Sequence, residues 1–376
     1  MVTQGLDICI RGGGIVGRTL ALLLARDRLR IGLVAQAPTP ARVNAPGTGD
    51  VRAYALNAKA RALLESLRCW PDALHATEVL AMQVKGDDGG AVHFSAAELK
   101  VPGLTWIVDV PVLEAQLAEA LRFQPQIELL DAPQPAALTV ICEGRASSTR
   151  REFGIDFEVR PYWQKAIAAR LACQTPHGQV ARQWFSQGEI LAFLPLDGPQ
   201  GNSVAIVWSV MEENAQALLD DGAAEFCHRV EAASQGCLGR LELISAREAW
   251  PLQMGRAERW GGIHEGKAWA LAGDAAHNIH PLAGQGLNLG LADVAALATI
   301  LHEREYWRAL GDEKLLRRYE RSRKAEVATM NAAMDSLQQL FSRTGAPWKT
   351  ARNWGMNGFD HSGPIKQWVA RQAMGF

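Results

Sequence analysis

The chain has 376 residues, 48% of them hydrophobic and 21% charged, which is ordinary for a globular protein and long enough for two or three domains. A net charge of −1 leaves no basic excess of the kind that nucleic-acid-binding domains carry. Six scattered cysteines without a CxxC pair argue against a zinc site or a disulfide framework. Since the sequence has neither a signal-peptide layout nor an apolar run long enough to cross a bilayer, we expect a cytoplasmic protein.

The amino-terminal segment predicts a βαβ unit. An apolar run at Leu6–Ile10 leads into glycines, a helical pattern follows at Val16–Arg26, and a second apolar run covers Ile31–Ala35. Pro38–Asp50 is rich in Pro, Gly and Thr and is predicted to be a loop. The leucine spacing in Ala53–Leu67 predicts a helix.

The pattern changes near Glu78, after which short β-like runs dominate. Helices are predicted at Leu113–Leu121 and Gln216–Glu231. Strands are predicted at Val79–Lys85, Ala91–Phe94, Leu138–Cys142, Ala166–Cys173, Gln179–Phe185, Ile190–Leu196 and Ser203–Val210. The later runs predict a largely antiparallel sheet with a helix packed on it.

An α/β pattern returns with a strand at Lys267–Ala272 and helices at Leu287–His302 and Leu315–Gln339. This order predicts an α/β fold in which a Rossmann-like nucleotide-binding domain is discontinuous, with an inserted, mostly antiparallel sheet domain and C-terminal helices. The predicted boundaries are 1–78, 106–160 and 261–330 for the nucleotide-binding domain, 79–105 and 161–260 for the inserted domain, and 331–376 for the C-terminal helical segment.

The first motif with chemical meaning is a G-x-G-x-x-G formed by Gly12, Gly14 and Gly17 between the first strand and its helix. The glycines allow a tight turn, the approach of a pyrophosphate and close packing of helix on strand. The acidic residue expected at the end of the second strand is absent, because Ala35 stands there, followed by Gln36 as a neutral candidate. The alternative is a glycine-rich turn of another α/β protein.

The second motif is Asp50–Leu56, in which Arg52 carries a forked guanidinium suited to a phosphate or to the edge of a flavin. On spacing alone, a surface Asp–Arg pair at the start of a helix is the better explanation.

The third motif runs from Gly273 to Gly290 and is the most specific in the chain. Asp274 follows a strand and can accept hydrogen bonds from sugar or ribityl hydroxyls. The glycines at 284–286 lead into a helix whose N–H groups can face an electron-rich ring. His277 and His280 have no third ligand at useful spacing, so we predict no metal.

In this order, the three motifs resemble the class A flavin monooxygenases related to para-hydroxybenzoate hydroxylase, and among these the ubiquinone-biosynthesis hydroxylase family. The DxRxxAL at Asp50–Leu56 and the GDAAHxxHPxAGQGLNLGLxD run ending at Asp293 look like that family's own versions. So do Phe193-Leu194-Pro195 and Arg317-Arg318-Tyr319-Glu320. The resemblance covers residues 5 to 355 and implies an FAD-binding domain with an inserted substrate domain.

The resemblance implies that reduced FAD reacts with O₂ to a C4a-hydroperoxide, which hydroxylates a small hydrophobic aromatic substrate, a polyprenylated phenol of ubiquinone biosynthesis. NADPH or a partner reductase would supply electrons. Because the cofactor carries the hard chemistry, the sequence identifies no catalytic side chain. The resemblance implies these cofactor-binding residues: Gly12, Gly14, Ile15, Val16, Gly17, Gln36, Arg52, Asp274, Pro281, Gly284, Gln285, Gly286, Leu287 and Asn288.

The chain departs from the family pattern at Ala35, at Pro111 and at Glu143, where the family usually has an acid, a basic residue and Asp respectively. Each weakened polar contact costs about 1 kcal/mol. We therefore expect looser FAD binding than is usual in the family. The short stretch between Leu121 and Leu138 also predicts a trimmed β-hairpin.

Candidates for the substrate pocket are Phe185, Phe193 and Trp208, together with Trp184, although strand alternation requires some of them to face elsewhere. After Ala346, tryptophans and basic residues predict either a packed C-terminal helix or a peripheral contact with the inner membrane face.

Two other functions remain open. One is a flavin halogenase, whose WxWxIP-type run is missing, or a prenyl reductase; the other is a non-catalytic scaffold of a biosynthetic complex.

Overall fold

The computed structural model describes residues 5–35, 50–86, 89–278, 285–342 and 362–363, with the backbone alone for 285 and 330–342. Its helices are α1 Ile15–Ala25, α2 Ala58–Ser66, α3 Ala96–Leu99, α4 Val110–Arg122, α5 Thr149–Glu152, α6 Glu212–Asp220, α7 Ala223–Ala233, α8 Gln285–His302 and α9 Glu313–Ser342, with a 3-10 turn at Gly273–Ala275.

The described strands form three sheets. They are β1 Leu6–Arg11, β2 Ile31–Val34, β3 Ala53–Leu56, β4 Ala76–Val79, β5 Ala81–Lys85, β6 Ala91–Ser95, β7 Thr105–Asp109, β8 Ile127–Leu130, β9 Ala136–Ile141, β10 Phe157–Cys173, β11 Val180–Ser186, β12 Glu189–Leu196, β13 Ser203–Met211, β14 Leu241–Leu243, β15 Glu248–Ala257, β16 Gly261–His264, β17 Lys267–Leu271 and β18 His277–Asn278.

The first sheet has the strand order β16-β17-β9-β1-β2-β8, in which neighbours run parallel except for the β16–β17 hairpin. Helices α1 and α8 pack against it, and most apolar side chains of its inner strands β1, β2, β9 and β17 are inaccessible. Leu129 of β8 and Ile263 of β16, at the two edges, are exposed. The strands of this sheet come from three distant parts of the chain, which confirms the predicted Rossmann-like, discontinuous α/β fold class. Between Leu121 and Leu138, where the sequence predicts a trimmed β-hairpin, the structure has the short strand β8, which pairs with β2.

The second sheet has the order β18-β15-β10-β13-β12-β11-β5-β6 and is antiparallel except where β5 meets β11. Because side chains alternate along each strand, it has two different faces. One face carries large residues such as Ile167 and Phe193 and is covered by α6 and α7. The other turns toward the small sheet formed by β3, β7 and β4, as shown by Arg170, whose guanidinium donates to Asp109 Oδ1 (2.6 Å) and to the Arg52 carbonyl (3.3 Å).

A third, small sheet of order β3-β7-β4 lies between the other two. It corrects the prediction of one helix over Ala53–Leu67. Residues Ala53–Leu56 instead pair with β7, and the helix begins only after Asn57, whose side chain caps it by accepting from Ala60 N at 2.9 Å. The leucine spacing persists across both elements, so spacing alone did not separate strand from helix.

The predicted helix over Gln216–Glu231 is also corrected, because it is two helices that break at Asp221 and Gly222. Arg247 stabilises the break by donating to the Leu218 carbonyl at 2.7 Å and to the Asp221 carbonyl at 2.6 Å. These carbonyls belong to the end of α6, where intrahelical donors run out. The predicted domain boundaries stay a prediction.

Candidate functional site

The glycine turn after β1 is shaped by close backbone packing. Gly12 has φ +120°, and a Cβ placed on it would lie 2.4 Å from the Cys142 carbonyl oxygen. A Cβ on Gly17 would lie 1.9 Å from the Gly12 carbonyl oxygen. At Gly14, by contrast, a Cβ would meet nothing within 4 Å among the described residues. Thus Gly12 and Gly17 serve the fold, while Gly14 borders open space.

That open space lies at the N-terminus of α1, where Gly14 is the N-cap and no side chain caps the helix. Ile15 is buried in the core, and the Val16 side chain packs against Gly273 and Gly290. Both residues can therefore offer only backbone N–H groups to a ligand. Free N–H groups and the positive end of the helix dipole suit an anion such as a pyrophosphate.

The departure at Glu143 has a structural explanation. Its carboxylate turns inward, accepting from Ser147 Oγ at 2.7 Å and from Thr149 N at 3.2 Å, and Arg11 Nε lies 3.4 Å away. Burial raises the pKa of Glu143, but the hydrogen bonds from Thr149 and Ser147 outweigh burial and hold the pKa below its ordinary value. Glu143 therefore orders the turn that follows β9.

The other two departures from the family pattern, Ala35 and Pro111, have structural settings of their own. The side chain of Ala35 is in close contact with Gly13 of the glycine turn, and Gln36 lies outside the described residues. Pro111 occupies the first turn of α4, a position where its missing N–H costs nothing. Arg18 from α1 reaches the next turn of α4 and donates to the Glu114 carbonyl at 2.7 Å.

Arg52 lies just before β3 in a mixed-charge group. Its Nε donates to both carboxylate oxygens of Asp50 at 2.9 Å, and its Nη2 lies 3.4 Å from Glu114 Oε1. The hydrogen bond to Asp50 raises the pKa of Arg52. Burial raises the pKa of Asp50, but its bonds with Arg52 outweigh that and lower it. Arg52 thus stays charged, with its side chain about one-third exposed and able to meet a ligand.

The segment after β17 is held by a buried carboxylate that the sequence did not single out. Asp293 is fully buried and accepts from Gly273 N at 2.9 Å, His277 Nε2 at 2.6 Å and Arg323 Nε at 2.8 Å. Trp260 stacks on His277 with ring centroids 4.7 Å apart. His277 therefore has a structural partner. Within the described ranges no cluster of His, Cys, Asp and Glu of metal-binding size occurs.

Asp274 differs from Asp293 because no described residue donates a hydrogen bond to its carboxylate. Burial raises its pKa, although Arg145 and His277 act in the opposite direction. Position 286 is close by, since a Cβ on Gly286 would lie 3.9 Å from Asp274 Oδ1. The carboxylate thus offers free acceptor atoms beside the N-terminal end of α8, which fits a ligand carrying several hydroxyl groups.

The remaining cofactor candidates lie around the start of α8. Pro281 and Gly284 fall outside the described residues, and Gln285 begins the helix. Leu287 packs on the core. The Asn288 side chain donates to the Ala55 carbonyl at 2.8 Å and accepts from Asn57 N at 2.9 Å. It therefore ties α8 to the β3–α2 junction, close to Arg52.

Two of the predicted substrate-pocket residues lie on the helix-covered face of the second sheet. Phe193 is fully buried there, and Trp208 donates from Nε1 to Glu189 at 3.2 Å. Trp184 shares this face, with its ring centroid 4.9 Å from that of Phe193. The structure thus separates them from the glycine turn, Arg52 and Asp274. Phe185 has the opposite orientation and stays half-buried on the face that carries Arg170.

The fold and the site together define an FAD-binding α/β protein. Three separate segments, the glycine turn, the Arg52 group and the Asp274–α8 segment, meet at the carboxyl edge of the parallel strands, where such folds bind nucleotides. The free helix N-terminus fits a pyrophosphate, and the unpaired Asp274 carboxylate fits ribityl hydroxyls. The residues present therefore fit FAD.

Comparison with known proteins also identifies an FAD-binding protein. Residues 135–333, more than half of the chain, match the family described as "FAD binding domain". The chain is 31% identical over 399 residues to 3-demethoxyubiquinol 3-hydroxylase of Escherichia coli, covering 100% of both proteins. It is 30% identical over 394 residues to ubiquinone hydroxylase UbiL of Rhodospirillum rubrum, covering 98% of this chain and 89% of the relative. The chain therefore belongs to the family of FAD-dependent monooxygenases.

The fold is also shared with PqsL of Pseudomonas aeruginosa, solved in complex with 2-aminobenzoylacetate. The TM-score is 0.75 at 22% identity, over 94% of this chain and 100% of PqsL. Across the described helices, none combines the length and apolar character needed to span a membrane. The aromatic and basic segment after Ala346, proposed from sequence as a packed helix or a membrane contact, lies outside the described residues apart from Ser362 and Gly363.

Proposed function

We propose that the chain hydroxylates the aromatic ring of a polyprenylated phenol in ubiquinone biosynthesis, using FAD and O₂. The observation that carries this proposal is the meeting of the glycine turn, Arg52 and the Asp274–α8 segment at one edge of the parallel sheet. The substrate class is supported by two relatives that align over nearly the whole chain, the 3-demethoxyubiquinol 3-hydroxylase of Escherichia coli and the ubiquinone hydroxylase of Rhodospirillum rubrum.

In this proposal, the turn at Gly12, Gly14 and Gly17 and the backbone of Ile15 and Val16 bind the FAD pyrophosphate. Arg52 lies beside the pyrophosphate and the ring. Asp274 accepts hydrogen bonds from the ribityl chain. The residues that would hold the FAD ring are Pro281, Gly284, Gln285, Gly286, Leu287 and Asn288.

Bound FAD, once reduced, supplies the activation of O₂ that no side chain of the chain can supply. The protein itself binds the cofactor and the substrate, orients the phenol ring and excludes water. NADPH or a partner reductase provides the electrons. We assign no catalytic side chain.

The test is an FAD titration of the purified protein, followed by flavin fluorescence and absorption near 450 nm. Gly14→Val should weaken FAD binding at least tenfold, about 1.4 kcal/mol, because its side chain fills the space that the pyrophosphate needs. The matched control is Gly222→Val, since Gly222 is also a helix N-cap with negative φ and nothing within 4 Å of its Cβ position. This control should bind FAD normally.

Asp274→Ala should also weaken FAD binding, because the ribityl hydroxyls lose their acceptor. Saturable binding that both site variants weaken, followed by hydroxylation of a prenylated phenol, supports the proposal. A protein that stays colourless at ample FAD contradicts it and favours the scaffold function.

A further inference from the structure

Near the middle of β12 and β13, the two faces of the second sheet carry side chains of different size, although Ile190 and Leu194 flank the small residues on the face opposite the helices. On the helix-covered face, β12 and β13 present Leu191, Phe193 and Trp208 to α6 and α7. On the opposite face, the neighbouring positions of the same two strands are Ala192 and Val207. Such a contrast within one pair of central strands leaves space above the small residues unless another part of the chain fills it.

Strand pairing places the small residues side by side. Ala192 lies opposite Val207, which lies opposite Ala168 on β10. One step along, Ser209 lies opposite Ala166. These five residues form a continuous small-residue floor on the face that also carries Arg170, which contacts Arg52 and therefore turns toward the candidate cofactor site.

The floor is not filled by any of the hydrophobic cores of the described chain. Ala166 and Ala168 are buried, at 4% and 5% exposure, yet neither belongs to a core cluster. Ala192 and Val207 stay partly accessible although their strands are central in the sheet. This combination is typical of the wall of a ligand cavity, not of a packed interior.

The floor has larger aromatic residues at its margins. Ser209 belongs to a row of residues that lie opposite one another across five strands. Trp250 of β15, opposite Ala166, is at one end of this row, and Phe185 of β11, opposite Ile190, is at the other. Both aromatic side chains are half-buried. An aromatic ring placed on the floor would therefore have flat apolar surfaces on two sides.

Ser209 is the polar residue at the centre of this row. It is 4% exposed, and its hydroxyl makes no hydrogen bond within the part of the chain that the structure describes. Of the other polar groups around the floor, Arg170 pairs with Asp109 through its Nη atoms, while its buried Nε has no partner among the described residues. Gln183, opposite Ala192, makes interactions of its own. A hydroxyl can both donate and accept a hydrogen bond, so Ser209 is suited to bond a polar atom of a ligand placed on the floor.

We infer that Ala192, Val207 and Ser209 form the floor of the substrate site, where Ser209 hydrogen-bonds the ring oxygen of a phenol and the two small side chains limit the size of the ring that fits. This inference rests on the proposed function. It assigns the specificity of the reaction to residues of the second sheet that belong to none of the cofactor motifs.

The test uses the FAD-loaded protein with two probes, 2-geranylphenol and geranylbenzene, which differ only in the ring hydroxyl. Binding is measured by perturbation of the flavin spectrum and by calorimetry. Ala192→Phe should weaken both probes at least tenfold, because the added ring occupies the floor. The control Ala224→Phe places the same ring on the exposed face of α7 and should change neither.

Ser209→Ala provides the sharper measurement. The wild type should bind 2-geranylphenol about fivefold more tightly than geranylbenzene, the effect of one hydrogen bond. In Ser209→Ala the two probes should bind equally, a result that loss of structure alone would not produce. Equal weakening of both probes, or unchanged preference for the phenol, overturns the assignment of Ser209.

Failure of this inference can be distinguished from failure of the proposed function. If the unsubstituted protein binds no FAD, the proposed function fails. If FAD binds normally and Ala192→Phe binds both probes like the wild type, the floor is wrongly assigned while the proposed function stands. Should Ala192→Phe not fold, Ala192→Val narrows the same space and should weaken probe binding about threefold; an unchanged affinity would again contradict the floor.

Discussion

The glycine turn after β1 and the segment after β17 lie at the same edge of the parallel sheet and are held by different forces. Around Gly12 and Gly17, backbone atoms approach so closely that a Cβ would collide with a carbonyl oxygen. Around Asp293, a buried carboxylate gathers donors from Gly273, His277 and Arg323. The first segment is shaped by steric contact and the second by charge. Substitutions in the two segments should therefore lower the stability of the fold for different physical reasons.

The largest effect is expected from Asp293→Ala. It should lower the free energy of unfolding by about 3–5 kcal/mol, because the buried Arg323 guanidinium keeps only the exposed Glu326 as a carboxylate partner and the Gly273 N–H loses its acceptor. Urea unfolding measures this. The matched control is Glu313→Ala, which removes the carboxylate from the exposed Arg317 pair and should cost less than about 0.5 kcal/mol. A loss below about 1 kcal/mol for Asp293→Ala would contradict a charge-held segment.

The contribution of Asp293 should also depend on pH. Burial raises its pKa, but the charges and hydrogen bonds of His277 and Arg323 outweigh burial and lower it. A lowered folded-state pKa means that the stabilisation is fully present above the unfolded value near 4 and is lost as pH falls through the folded value. The stability difference between wild type and Asp293→Ala should therefore shrink below about pH 4.

A smaller effect on stability, independent of this carboxylate, is expected from Gly17→Ala. The added Cβ would overlap the Gly12 carbonyl, so we expect a loss of about 3 kcal/mol. Gly14→Ala, three residues earlier, meets open space at ordinary φ and should change stability by no more than about 0.5 kcal/mol. Thermal unfolding of the pair measures the contrast, and similar melting temperatures would exclude steric packing as the cause.

The smallest expected effect is a gain in the folding stability of the FAD-free protein. Asp274→Asn should raise the stability of the FAD-free protein by about 1 kcal/mol, because it removes a carboxylate whose ionised form burial disfavours and that no described residue pairs. The same change should weaken FAD binding and so reduce the stabilisation that added FAD provides. Melting curves with and without FAD measure both. A destabilised FAD-free variant would show that Asp274 serves the fold instead.

The expectation of looser FAD binding stays a prediction, and the structure changes its basis. Glu143 orders its own turn through Ser147 and Thr149, and Pro111 is compatible with the start of α4. The absence of an acid at Ala35 therefore becomes the departure that most directly removes a contact with a ribose. The FAD titration proposed above supplies the dissociation constant that decides it.

The features that could be predicted before the structure was known are those whose causes are local in the chain. A glycine turn between a strand and a helix, and the long run from Gly273 to Asp293, are readable because their parts are neighbours in the chain. From these, the fold class, the family and the approximate position of the cofactor followed. The same reading failed at Ala53–Leu56, where pairing with β7 outweighs a helical spacing that continues into α2.

Contacts between groups that are far apart in the chain could be read only from the folded molecule. A period-two pattern shows that side chains alternate in β12 and β13, but not which face the helices cover. The packing of α6 and α7 put Phe193 and Trp208 in a core and left Ala192 and Val207 on the opposite face. Likewise, Arg323 reaches Asp293 from 30 residues away on another helix. Such contacts depend on how whole elements pack, which no local pattern encodes.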